Sequence, residues 1–68
     1  MGTQPVTPDD LRAERARAGV LLYEIAPKVG LNPHRLGEVF NGKAPLTPVL
    51  AERVLRAIDE LRKNKAAP

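Results

Sequence analysis

The chain has no cysteine. A disulfide framework and a thiolate metal site are therefore excluded. Tryptophan is absent, and Tyr23 and Phe40 are the only aromatic residues. That argues against a single-strand nucleic-acid binder, which stacks successive bases on several rings. No apolar run approaches the roughly 20 residues needed to cross a bilayer. The opening Met1–Pro5 has neither the basic nor the apolar region of a secretory leader. Val6 stands where a myristoylation pattern asks for Ser or Thr. The expectation is a cytoplasmic protein with no membrane partner. His34 is the single histidine, and with no His or Cys neighbour it suggests no metal or other cofactor. There is no Gly-rich phosphate loop, no nucleophile beside a base, and no carboxylate pair in a credible cleft, so the chain reads as a non-enzyme.

What is present suffices for one small domain. A chain of 68 residues buries only about 60% of the surface its unfolded form exposes, so stability is narrow. The folding unit is expected over residues 7–63, with disordered tails at 1–6 and 64–68. The net charge of +3 fits an acidic partner such as nucleic acid, although ordinary proteins can be equally basic.

Helix signals recur along the unit. Thr7-Pro8-Asp9-Asp10 combines a cap, a first-turn proline and carboxylates where the helix dipole favours them, and Gly19 ends that helix. Leu22, Ile25, Ala26 and Val29 form an apolar stripe at i, i+3, i+4 and i+7. Pro27 interrupts it, so this helix is expected either to kink or to start late, near Glu24. Asn32-Pro33 opens a third helix with Leu36, Val39 and Phe40 inward, closed by Asn41-Gly42. Thr47-Pro48 opens a last helix to about Lys63, with Ala51, Val54, Leu55, Ile58 and Leu61 on one face. No segment alternates like a strand. The fold class is all-α, a compact four-helix domain.

Two short helices joined by Val29-Gly30-Leu31-Asn32 make a helix-turn-helix candidate. Ala26 is small where the helices must approach, Gly30 suits the turn, and Leu31 can plug beneath it. The second helix keeps a polar or small outer face of Pro33, His34, Arg35, Gly37, Glu38 and Asn41.

With Ile25-Ala26, Gly30-Leu31, Leu36, Val39-Phe40 and Asn41-Gly42, residues 9–61 resemble the lambda-repressor-like (Cro and xenobiotic-response-element type) helix-turn-helix family. The resemblance implies a sequence-specific regulator of double-stranded DNA, a repressor or Cro-like protein, acting as a homodimer with its second motif helix in the major groove. By position it implies base contacts from Pro33, His34 and Glu38. It implies phosphate contacts from Arg35, Asn41 and Lys43, with Arg15 and Arg17 on the first helix. The chain departs from the family at Leu21 and Leu22, where a polar cap and a phosphate-binding Gln are common, and at Pro27. Each feature also has a plainer reading: the apolar stripes as core, His34 as an exposed residue, and Arg12, Arg15 and Arg17 beside Glu14 as a solvated face. The alternative function is a protein-interaction module on the same fold, an antitoxin or a phage modulator of a host enzyme, with Leu21 and Leu22 as its contact.

Overall fold

Thr7 starts the first helix by a reciprocal cap. Its Oγ1 accepts the Asp10 N–H at 3.2 Å, and the Asp10 carboxylate accepts the Thr7 N–H at 3.0 Å. The helix, α1, runs Pro8–Ala18 and ends at Gly19 in the left-handed conformation, a common C-terminal stop. This computed structural model describes residues 6–66. The expected tail positions 1–5 and 67–68 lie outside the described residues.

The second helix, α2, spans Leu22–Val29. It does not start late at Glu24, and Pro27 lies within it. A leucine offers no side-chain acceptor, yet Glu24 reaches back and accepts the Leu21 N–H at 2.9 Å. This is half of a capping box. Gly30 follows at φ +76, a backbone region that side chains rarely enter, and the Leu31 N–H donates to the Ala26 carbonyl at 3.1 Å. Leu31 packs against the core as expected.

The third helix, α3, is Pro33–Phe40. Asn32 caps it, its Oδ1 accepting the Arg35 N–H at 2.7 Å. Thr47 caps the fourth, its Oγ1 accepting the Leu50 N–H at 3.1 Å. That helix, α4, runs Pro48–Ala66, beyond the expected end at Lys63. Part of the expected C-terminal tail is thus helical. A tertiary contact holds it: Lys65 Nζ donates to the Gly19 carbonyl at 3.1 Å and pairs with Glu24 at 3.0 Å.

The molecule is all-helical, with no strand among the described residues. None of its described helices is long and apolar enough to cross a membrane. The core gathers Leu11, Val20, Ile25, Ala26, Val29, Leu36, Phe40, Val54, Ala57 and Ile58. The stripes of α2 and α3 are therefore interior, except that Leu22 is only half-buried. Leu55 and Leu61 also pack at the margin, while Val20 and Ala57 join the centre. Val6, expected in the N-terminal tail, packs against this core as well. The helix α4 lies across α1 and α2. Among the described residues no Cα of α3 comes within 8 Å of it.

Candidate functional site

That arrangement determines what α3 can offer. Leu36, Val39 and Phe40 are buried. His34, Arg35 and Asn41 are exposed, while Pro33, Gly37 and Glu38 are half-buried. His34, Glu38 and Asn41 fall at i, i+4 and i+7, which places them on one face over about 10 Å of helix axis. A polar face therefore stands on one side of a short helix whose other side is locked into the core.

Its ends are fixed by a side-chain cap and by backbone bonds. The Asn32 cap and Pro33 set the start, with His34 in the first turn. At the other end the Lys43 N–H donates to the Glu38 carbonyl at 2.8 Å, and the Ala44 N–H donates to the same oxygen at 3.2 Å. Ala44 is buried. These contacts root the exposed Lys43 side chain beside the end of α3. Glu38 is not isolated: Arg35 Nη1 lies 3.8 Å from its Oε1, which softens the repulsion a lone carboxylate would exert on an anion.

The two arginines named on α1 differ. Arg15 is part-buried, and its Nη1 donates to the Val20 carbonyl at 3.2 Å. Its Nε is buried with no partner among the described residues. Arg17 is exposed and pairs with Glu14 at 3.1 Å. Arg35, Asn41 and Lys43 thus belong to α3 and the loop after it, whereas Arg15 closes the turn between α1 and α2.

The start of α2 carries a residue that the sequence reading did not single out. Tyr23 is 75% exposed and Leu21 57% exposed. The signal was available, because Tyr23 falls off the stripe of Leu22, Ile25, Ala26 and Val29. Beside them, the Leu21 N–H holds the Glu24 carboxyl below its ordinary value, and Lys65 lowers it further. This first turn therefore carries a firmly ionised acid already engaged by the protein.

No family model, curated protein or solved structure matches this chain.

Proposed function

We propose that the protein is a sequence-specific regulator of double-stranded DNA, a repressor or Cro-like protein, with α2, the Gly30–Asn32 turn and α3 serving as a helix-turn-helix. The observation that carries this reading is the outer face of α3, polar along its length and left uncovered by α4. A major groove about 12 Å wide admits a helix presented in this way. In this reading Pro33 presses on a thymine methyl, His34 donates to guanine N7 or O6, and Glu38 accepts from a cytosine amino group. Arg35, Asn41 and Lys43 hold phosphates, which fixes register and supplies the salt-dependent part of affinity. Two copies on a palindromic site would compete sterically with polymerase.

Selection of bound duplexes from a random pool tests the proposal. The expected result is an enriched site with two half-sites about one helical turn apart. Substituting His34→Ala or Glu38→Ala should change which site is preferred. Recovery of no common sequence, or no binding at 50 mM salt, would sink the reading. A second reading, a protein-interaction module, draws on the exposed Leu21 and Tyr23 at the start of α2. A pool that yields nothing would turn attention to it.

A further inference from the structure

Gly37 stands within α3, where glycine weakens a helix relative to alanine. Nothing in the fold requires it. Its backbone is helical rather than left-handed, and a Cβ built there would meet one atom within 4 Å, the Leu22 Cδ1 at 3.8 Å. That is ordinary van der Waals contact, so an alanine would fit the free protein without strain. The missing side chain is therefore a property of the surface, not of the packing.

Its location gives it a shape. His34 lies three residues before Gly37 and Asn41 four after, both neighbours on a helix surface. Between them the helix presents a gap the depth of one methyl group, with the half-buried Leu22 behind it. An apolar floor in an otherwise polar face suits a small apolar protrusion. On the major-groove edge of DNA the feature of that kind is the C5 methyl of thymine.

We infer that Gly37 and Leu22 form a socket for the C5 methyl of one thymine in the operator. The inference rests on the DNA-binding reading above and adds a residue that reads sequence by having no side chain. The test replaces each thymine of the selected duplex in turn by deoxyuridine, which removes only the methyl. At one position in each half-site, besides the thymine that Pro33 touches, the wild-type protein should lose about fourfold in affinity, the transfer of one methyl-sized group. Gly37→Ala fills the gap. It should raise Tm and bind the thymine duplex no better than its uracil counterpart at that position.

Indifference of the wild type to every replacement would overturn the socket while leaving the regulator standing. Discrimination that persists undiminished in Gly37→Ala would also overturn it, assigning the methyl to Pro33 or another residue. So would a Tm below that of the wild type, because the free space would then be absent. If the wild type selects no duplex at all, the regulator reading fails and the socket goes with it.

Discussion

Arg15 and Arg17 sit two positions apart on one helix, yet the structure gives them different work. Arg15 donates to the Val20 carbonyl across the Gly19 turn, while Arg17 pairs in solvent with Glu14. Losing the first removes a part-buried hydrogen bond and the packing of a long aliphatic stem. Arg15→Ala should therefore lower stability by about 1–2 kcal/mol, and Arg17→Ala by no more than about 0.5 kcal/mol, since exposed pairs contribute little. Urea midpoints would decide between them. On duplex DNA the order should reverse in kind: Arg35→Ala and Lys43→Ala should flatten the salt dependence of binding, whereas Arg15→Ala should leave its slope unchanged. Slopes for Arg35→Ala and Lys43→Ala equal to that of the wild type would remove Arg35 and Lys43 from the phosphate contacts. Sequence alone placed Arg15 and Arg17 together because both are basic and on α1. The bond from Arg15 to Val20 depends on the left-handed turn at Gly19, and spacing does not report where a carbonyl points.

At the scale of elements, α1 and α3 begin where the cap and proline signals place them, and Gly19, Gly30 and Gly42 adopt positive φ at the helix ends. These features are legible because they are local: a side-chain oxygen bonds a backbone N–H three residues on. The helix α2 is different. It was expected either to kink at Pro27 or to start late, near Glu24, so that Pro27 would fall in the first turn; the helix does not start late but begins at Leu22. Two things permit this. Glu24 satisfies the Leu21 N–H from inside the helix, and Ile25, Ala26 and Val29 are buried as one face. Burial of that face outweighs the one backbone bond Pro27 cannot make. Tyr23 and Pro27 are both exposed, so on this side of α2 water can stand in for the N–H that proline lacks. Pro27→Ala restores the donor and removes the ring clash, and should stabilise the protein by about 1–3 kcal/mol, read as a higher Tm. A Tm unchanged or lowered would mean that the proline's restriction of the unfolded chain offsets or outweighs its cost in the helix.

Across the whole molecule the last turn of α4 is fastened to the junction of the first two helices. Lys65 Nζ reaches both the Gly19 carbonyl and the Glu24 carboxylate. Such a contact, 46 positions apart in sequence, leaves no trace in helix periodicity, and for that reason the tail was expected to begin at residue 64. It also links folding to pH. The Leu21 N–H and Lys65 lower the Glu24 carboxyl below its ordinary 4.5, and Arg62 and Lys63 lower Asp59 below 3.8. A carboxylate whose folded pKa is depressed adds stability that is fully present above its unfolded pKa and is lost as pH falls through the folded one. The urea midpoint should therefore be flat down to about pH 5 and drop below it. Glu24→Gln keeps an oxygen to accept the Leu21 N–H but has no charge to protonate. It should start lower at neutral pH and lose less on acidification. Wild type and variant falling in parallel between pH 5 and pH 2 would show that this carboxylate is not coupled to folding, and that Lys65 secures the helix end through the Gly19 carbonyl alone.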